Sequence, residues 1–447
     1  MRARGRGPQG HDRLRALFDF LVSEGADASP LLRPDADVPS LLTLATRHKV
    51  SWALARRLLE ERGPGLDEPA LAAVRACDRE WTAWRRTVRH QVGEVWGAGA
   101  TPLMHVKGLA AEHWNGDRFV RDSGDLDVVA PDLRAAAAVL DRLLDLDYRL
   151  EETCWLHLTP AGGLQGPIVM VSDRPDEDQR AVELNVGGFP PGSFVPSLPL
   201  ALDEGADLPV GDVTMRIANR MQSLLVLCAE TMHRDLFVRD AIDLVLIVER
   251  GGPDAVVPAL LAEARAAGLG WALGRLARFA LSLLPDRPDE MGRRVWLRRL
   301  VGPPGALGVW PSVGGSLAAA WGPRRGAELL ARYAHYRVES WLFDRDRALA
   351  WIQRVNRRRD PVAVLTRSGA PVFTIPVHSG RTERLRGVAG LRPAAEDPAG
   401  DWWIARHGGA PLLVLPAGVY LLSVDCVLEP SDIARLGREL GGLAAAS

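Results

Sequence analysis

The strongest constraint on the fold of this chain is a short run of alternating character, Asp125-Leu126-Asp127-Val128-Val129. Side chains of a β-strand point alternately to its two faces, so Asp125 and Asp127 share one face while Leu126 and Val128 share the other. The apolar face belongs in a core, and two carboxylates converge on the opposite face. The sequence therefore predicts a strand with one apolar, buried face and one face that carries two carboxylates.

The surrounding residues 98–212 are typical of an alternating α/β unit. Short apolar runs broken by Gly, Pro and Asp predict four strands, at Pro102–Val106, Leu126–Val129, Ile168–Val171 and Ala181–Val186. Between them, Pro131–Asp147 is rich in Ala and Leu and carries proline at a first helical turn, which predicts a helix. The predicted fold class is α/β (α+β).

Apolar residues at helical spacing predict helical regions on both sides of this unit, at 1–97 and 213–359. A Gly/Pro-rich stretch, Gly302–Gly315, predicts a long loop within the second region. Residues 360–447 predict a β-rich C-terminal unit closed by a helix from about Pro430. Its predicted strands are Val362–Leu365, Val372–Val377, Trp402–Ile404, Leu412–Leu415 and Val419–Val424.

Composition narrows the functional class. A net charge of -1 argues against a broad electrostatic grip on nucleic acid, which needs a positive surplus. The four cysteines lie far apart, which indicates neither a disulfide framework nor a zinc site. The basic N-terminus is not followed by an apolar signal core, and no apolar run reaches the roughly 18 residues of a membrane span. We expect a cytoplasmic protein with no membrane association.

The two aspartates predict a metal site. Carboxylates about 7 Å apart along a strand repel one another unless a cation lies between them, and hard oxygen ligands suit magnesium, with manganese as the alternative. Glu183 is the candidate third carboxylate, because it occupies one face of the predicted strand Ala181–Val186. The competing interpretation is that all three are solvated carboxylates, which is common for an isolated Asp-x-Asp.

Lys107 and Gly108 predict a phosphate-binding turn. They lie where a predicted strand ends and a predicted helix begins, and backbone N–H groups at a helix start favour phosphate. Gly108 lets a phosphate approach the backbone closely. Lys107 is one of only two lysines, with Lys49, in an arginine-rich chain, which indicates a need for a compact ammonium. The alternative is an ordinary surface lysine.

These motifs together resemble the bacterial uncharacterised nucleotidyltransferase family, a branch of the DNA polymerase β-like superfamily. The resemblance spans roughly residues 40 to 290, and the block from Lys107 to Asp127 is its most specific part. It implies a small mixed sheet between helical regions, in which Asp125, Asp127 and Glu183 hold metal and carry catalysis. The nucleoside triphosphate would be contacted by Lys107, Gly108, Arg121 and Ser123.

One departure from the family pattern weakens the assignment of Glu183: Asn185 stands where a histidine is expected. Further along the chain, the resemblance places His233 near the nucleotide, although a helix-surface or core histidine is the alternative. Arg239 and Asp243 lie four residues apart, which suits an intrahelical ion pair as well as a substrate contact.

The expected function is magnesium-dependent transfer of a nucleoside monophosphate, or less often a phosphoryl group, from a nucleoside triphosphate to an acceptor hydroxyl or phosphate. The acceptor is not identified; a modified peptide is implied only by the resemblance. One alternative is a non-catalytic protein that senses a nucleotide or docks a peptide, motivated by Asn185 and the unfamiliar C-terminal unit. Another is a toxin-like transferase acting on transfer RNA, which the near-zero net charge disfavours.

Overall fold

A computed structural model describes residues 8–23, 30–32, 37–61, 66–97, 102–116, 119–122, 124–151, 154–159, 163–172, 181–189, 198–232, 234–301, 360–368, 372–386, 388, 391–397, 400–423 and 430–446. These residues form helices, a mixed sheet, more helices and an antiparallel sheet, in that order along the chain. The α/β fold class predicted from the sequence is confirmed.

The chain begins with the predicted helices. They are α1 (Pro8–Val22), α2 (Val38–Arg47), α3 (Ser51–Glu60) and α4 (Glu68–Trp96). Asp67 starts α4, because its carboxylate accepts a hydrogen bond from the N–H of Ala70 and a proline follows in the first turn. The C-terminal half of α4 buries Val88, Val92 and Val95 against the apolar side of the sheet that follows.

The mixed sheet contains the strand that carries Asp125 and Asp127. Its strands are β1 (Met104–His105), β2 (Asp125–Ala130), β3 (Tyr148–Leu150), β4 (Cys154–Leu158), β5 (Leu164–Ser172), β6 (Ala181–Val186), β7 (Ala206–Val210) and β8 (Val213–Ile217). The strand order is β4-β5-β6-β2-β1-β8-β7, with β3 paired to β5. β2 is antiparallel to β1 and parallel to β6, so the sheet is mixed.

Two helices connect strands of this sheet: α5 (Gly108–Asn115) follows β1 and α6 (Leu133–Asp145) follows β2. The structure has strands at all four positions predicted from the sequence, namely β1, β2, β5 and β6. The prediction was wrong at Val213, where a helical region was expected and β8 lies instead. Met215 and Ile217 are fully buried on one face of β8, the period-two pattern of a strand, and Gly211 at φ 60° turns the chain back from β7.

Asp132 caps α6, since its carboxylate accepts a hydrogen bond from the N–H of Ala135 at 2.8 Å. We expect Asp132→Ala to lower the free energy of unfolding by about 1 kcal/mol, the usual contribution of such a cap. Denaturant unfolding of the two proteins measures the difference. Asp132→Ser retains an acceptor oxygen and should retain most of the stability; three equal midpoints would show that the cap does not contribute.

The second helical region comprises α7 (Arg220–Glu230), α8 (Val238–Gly251), α9 (Pro253–Ala266), α10 (Gly270–Leu283) and α11 (Met291–Val301). Helix α8 is central, because every residue from Val238 to Val248 is buried. The predicted loop Gly302–Gly315 and the predicted helices up to residue 359 lie outside the described residues. No helix in the described ranges has both the length and the apolar character that a bilayer crossing requires.

The C-terminal unit is a five-stranded antiparallel sheet with two helices. Its elements are α12 (Pro361–Ser368), β9 (Val372–Ser379), β10 (Arg392–Glu396), β11 (Trp403–His407), β12 (Ala410–Leu415), β13 (Gly418–Ser423) and α13 (Pro430–Ala446). The order is β10-β11-β12-β13-β9, and β9 also pairs with β4, which links the two sheets. The predicted β-rich unit and closing helix are confirmed.

One predicted strand of this unit, Val362–Leu365, was wrong: these residues belong to α12. Proline occupies the first helical position, where its missing N–H costs nothing. Val362 and Leu365 are three residues apart and both buried, which is helical spacing. Four apolar residues in a row fit either structure, so the pattern alone did not separate them.

Candidate active site

Three carboxylates meet on one face of the mixed sheet. The parallel register of β2 and β6 sets Asp127 directly opposite Glu183, and strand alternation puts Asp125 on the same face. Carboxylate oxygens of the three residues lie within 4.8 Å of one another. Asp127 is 2% exposed, whereas Glu183 is half-buried and Asp125 is exposed, so the cluster opens to solvent on one side.

The charges in this cluster repel. Burial raises the pKa of Asp127 well above its usual range, Asp125 raises it further, and the ammonium of Lys107 opposes both effects. Among these residues one ammonium faces three carboxylates, which leaves an uncompensated double negative charge when all are ionised. An arrangement of oxygen donors with that charge suits one divalent cation.

Lys107 lies beside this cluster, and its contact with a triphosphate stays a prediction. Its ammonium contacts a carboxylate oxygen of Asp127, lies 3.3 Å from Glu230, and is 5.2 Å from the ring centroid of Phe189. Burial by itself lowers the pKa of Lys107, but the carboxylates around it, Asp127 foremost, raise the pKa well above its usual value. Lys107 is therefore a fixed positive charge beside the acidic triad.

Lys107 and Gly108 form the turn between β1 and α5. Gly108 has φ 35°, the left-handed region that favours glycine, and it begins the helix directly after Lys107. The imidazole of His105 occupies one of the N–H groups at the start of α5, because its Nε2 accepts a hydrogen bond from the N–H of Leu109 at 3.1 Å. Burial lowers the pKa of His105 to about 4, which keeps the ring neutral and able to accept.

A lysine–glycine turn at the start of a helix thus lies beside three carboxylates that could hold a metal ion. The uncharacterised nucleotidyltransferase family matches residues 34–285, which include β1, β2, β6 and every residue of the triad. The chain belongs to this family. No match was found among curated proteins. The family assigned from the sequence motifs is confirmed, and it makes the protein a transferase. The C-terminal sheet lies beyond the matched part.

Arg121 of this nucleotidyltransferase lies in a different environment from Lys107. It is 4% exposed, and its guanidinium pairs at 3.0 Å with Asp243, which is 1% exposed. Asn115 donates a second hydrogen bond to Asp243 at 2.7 Å. A contact between Arg121 and triphosphate stays a prediction. Ser123 and His233, which the sequence also placed near the nucleotide, lie outside the described residues.

A buried ionic network extends from Lys107 into the second helical region. Glu230, at the end of α7, pairs with Arg234 at 3.1 Å and lies 4.0 Å from Arg239. Arg234 also binds Asp240 at 2.7 Å. The intrahelical pair suggested for Arg239 and Asp243 is replaced by these contacts. Sequence spacing did not reveal Glu230 as the partner of Lys107, because the two residues are far apart along the chain.

Lys49, the second lysine, also faces this network. Its ammonium is 5.4 Å from the ring centroid of Phe237. Burial lowers the pKa of Lys49, and Arg239 lowers it further, whereas Asp125 and Glu230 raise it. Both lysines of an arginine-rich chain thus lie in the field of the same carboxylates. Two sequence signals included Lys49: the rarity of lysine, and the family resemblance, which takes in the segment from Ala45 to Val50.

The stability that Glu230 contributes should depend on pH. Burial raises the pKa of Glu230, but Lys107, Arg234 and other cations lower it below the usual value of 4.5. A lowered folded pKa contributes stability above the unfolded pKa, and this contribution is lost as pH falls. We expect the difference in unfolding free energy between wild type and Glu230→Gln to be constant from pH 7.5 to about 5 and to shrink below pH 4.5.

Denaturant unfolding at a series of pH values measures this difference. Glu80→Gln, on the exposed face of α4, controls for the loss of one carboxylate. A difference that grows on acidification would contradict the network, because it would mean that Glu230 is protonated more readily when folded.

Proposed function

We propose that the protein is a magnesium-dependent nucleotidyltransferase that moves a nucleoside monophosphate from a nucleoside triphosphate to an acceptor hydroxyl or phosphate. The observation that carries this proposal is the convergence of Asp125, Asp127 and Glu183 within 4.8 Å beside Lys107. Family membership supports the class of reaction. The oxygen-only donor set supports magnesium or manganese over softer metals.

The residues present fit a divalent cation. Burial and the neighbouring carboxylates Asp125 and Glu183 raise the pKa of Asp127, so its ionised form is electrostatically unfavourable. A bound cation would reduce this repulsion. Asp125, Asp127 and Glu183 would hold it, and Asn185 next along β6 does not add a carboxylate. When bound, the cation supplies neutralisation of the charge on the triphosphate and on the attacking oxygen.

The triphosphate is proposed to bind at the Lys107-Gly108 turn. Lys107 supplies a compact ammonium, and Gly108 supplies a backbone N–H without a side chain to obstruct the phosphate. The next N–H, of Leu109, already donates to His105, so binding relies on these two residues more than on the whole first turn of α5. Lys49 faces the same carboxylates and supplies a second cation. Arg121 and Ser123 belong to the proposed triphosphate contacts only through the family motif.

In the proposed reaction the acceptor oxygen forms a bond to the α-phosphorus. The bond from that phosphorus to the bridging oxygen breaks, and pyrophosphate leaves with the electron pair. When the acceptor is a hydroxyl, its proton passes to a carboxylate, Glu183 or Asp127. Glu183 is half-buried and therefore more accessible to an acceptor than Asp127, which is buried. Catalysis comes mainly from positioning and charge neutralisation.

Position-specific labelling tests the proposal. The full-length protein is incubated with magnesium and each nucleoside triphosphate, labelled at the α- or at the γ-phosphorus, with panels of hydroxyl and phosphate acceptors that include peptides. We expect label from the α-position to reach an acceptor, stoichiometric release of pyrophosphate, and loss of both with EDTA.

The other outcomes separate the remaining hypotheses. Transfer of γ-label alone would make the protein a kinase and would overturn nucleotidyl transfer. Tight nucleotide binding in calorimetry, without turnover of any triphosphate after long incubation, would favour the sensing protein. Labelling of transfer RNA in preference to every other acceptor would favour the toxin-like transferase.

A further inference from the structure

A second polar cleft lies outside the acidic triad. It has a volume of about 950 Å³ and is bounded by α3, α4, α5 and the turn between β7 and β8. Its lining is rich in arginine: five guanidinium groups face two carboxylates, those of Glu60 and Glu112. The arginines are Arg56, Arg57, Arg85, Arg89 and Arg250. In a chain of net charge -1 this is a concentrated positive patch.

The cleft is separate from the proposed triphosphate site. None of the triad residues lines it, and neither does Lys107. Helix α4 packs against Leu126 and Val128, the face of β2 opposite to the one that carries Asp125 and Asp127. The lining of the cleft also includes none of the residues proposed to contact the triphosphate.

Two of the arginines are already engaged. Arg57 pairs with Glu61 at 3.0 Å and donates to the carbonyl of Ser23, and Arg85 contacts Glu112. Neutralising partners of this kind reduce the charge that an arginine offers to a ligand.

The charges of the other three arginines are not offset by a close carboxylate among the described residues. Among the residues that the structure describes, the ion pair of Arg56 is a long contact, 3.8 Å, with Glu60, and both side chains are exposed. Within the described ranges, Arg89 has no ion-pair partner, and Arg250 donates to a backbone carbonyl, that of His113, without a carboxylate partner. Three such guanidinium groups line the same cleft, and together they attract a multiply charged anion.

We propose that this cleft binds a soluble phosphate-bearing ligand at a site distinct from the acidic triad. The planar guanidinium fork matches phosphate oxygens in a bidentate manner, which a lysine-lined cleft would not do. The volume exceeds that of a single phosphate, so the ligand class is an organic phosphate or a diphosphate. Glu112 joins this cleft to the segment before β2, since its other oxygen accepts a hydrogen bond from the N–H of Arg121 at 3.3 Å.

Calorimetric titration with inorganic pyrophosphate, in EDTA and at low salt, tests the site. The test variant is Arg56→Glu/Arg89→Glu, which reverses two exposed charges in the cleft. Arg86→Glu, exposed on the same helix α4 and outside the cleft, is the matched control. Lys107→Gln reports binding at the triphosphate turn. We expect wild type, Arg86→Glu and Lys107→Gln to share a pyrophosphate-binding event that is at least tenfold weaker in the double variant, whatever Lys107→Gln does to binding at the triphosphate turn.

Each contrary outcome overturns the proposal. Equal affinity in the double variant and wild type, or loss of binding only in Lys107→Gln, would place pyrophosphate elsewhere. No binding to wild type would remove the site. Citrate binding as tightly as pyrophosphate would show that phosphate is not the recognised group. Because a charge-reversed helix could be destabilised, Arg89→Gln is titrated in parallel, and the thermal midpoint of each variant is recorded.

Discussion

Asp127→Asn is expected to reduce nucleotidyl transfer by about 10³-fold or more, the scale on which loss of transition-state charge stabilisation acts. Asp127 is the most buried carboxylate of the triad and lies between the other two, opposite Glu183 and two residues from Asp125. Asparagine keeps the shape and removes the charge. The measurement is the steady-state rate with the α-labelled triphosphate and magnesium.

The same substitution should not destabilise the metal-free protein. Burial and Asp125 raise the pKa of Asp127, so its carboxylate is held at an energetic cost at neutral pH, and Asn removes that cost. Lys107 keeps Glu230 as a partner at 3.3 Å. In EDTA we therefore expect the unfolding midpoint of Asp127→Asn to equal or exceed that of wild type.

Magnesium should stabilise wild type more than Asp127→Asn. A ligand at 100 times its dissociation constant stabilises the folded state by about 2.7 kcal/mol, and wild type should show such a gain while Asp127→Asn shows a smaller one. Asp132→Asn, which retains the helix cap, is the matched control. Retained activity in Asp127→Asn, with equal stabilisation of both proteins by magnesium, would contradict a metal site at the triad.

The common face of the two aspartates was predictable from sequence because its geometry is local. Alternation along β2 fixes the common face of Asp125 and Asp127, and it depends only on the two residues being two positions apart. The apolar runs around Leu126 and Val182 located β2 and β6, and their parallel pairing then set Glu183 opposite Asp127. The sequence therefore predicted the common face of the two aspartates and offered Glu183 as a candidate, and the pairing of β6 with β2 brought Glu183 to them.

The cations around the triad were not predictable in the same way. Lys49 follows α2, and Glu230 and Arg239 belong to the second helical region, so their convergence depends on how helices pack on one another. Helical periodicity shows which face is buried but does not show which distant residue that face meets. His105 gave no signal either, because a single histidine in an apolar run is usually an ordinary core residue.

The second large effect is expected at the buried pair of Arg121 and Asp243. Removing one partner of such a pair leaves an uncompensated buried charge and typically costs about 3–5 kcal/mol. Arg121→Met should lower the free energy of unfolding by that amount, because Asp243 would lose its ion pair and keep the hydrogen bond from Asn115 and the more distant charge of Arg239. Denaturant unfolding at neutral pH measures the loss.

Replacing both partners should cost much less. Burial lowers the pKa of Arg121 and raises the pKa of Asp243, in each case despite the attraction of its partner, so the pair does not fully recover the cost of leaving water. Arg121→Met/Asp243→Leu removes both charges and leaves only the amide of Asn115 without its acceptor, a cost of about 1–3 kcal/mol. We expect the double variant to be more stable than Arg121→Met alone.

The double variant also separates the two roles that Arg121 can have. If its guanidinium only holds α8 against the segment before β2, the double variant should retain the wild-type KM for the triphosphate. If Arg121 contacts phosphate, as the family motif implies, KM should rise severalfold although the fold is stable. A double variant less stable than either single one would contradict the ion-pair argument, because it would mean that the two charges stabilise the core more than apolar side chains of similar size.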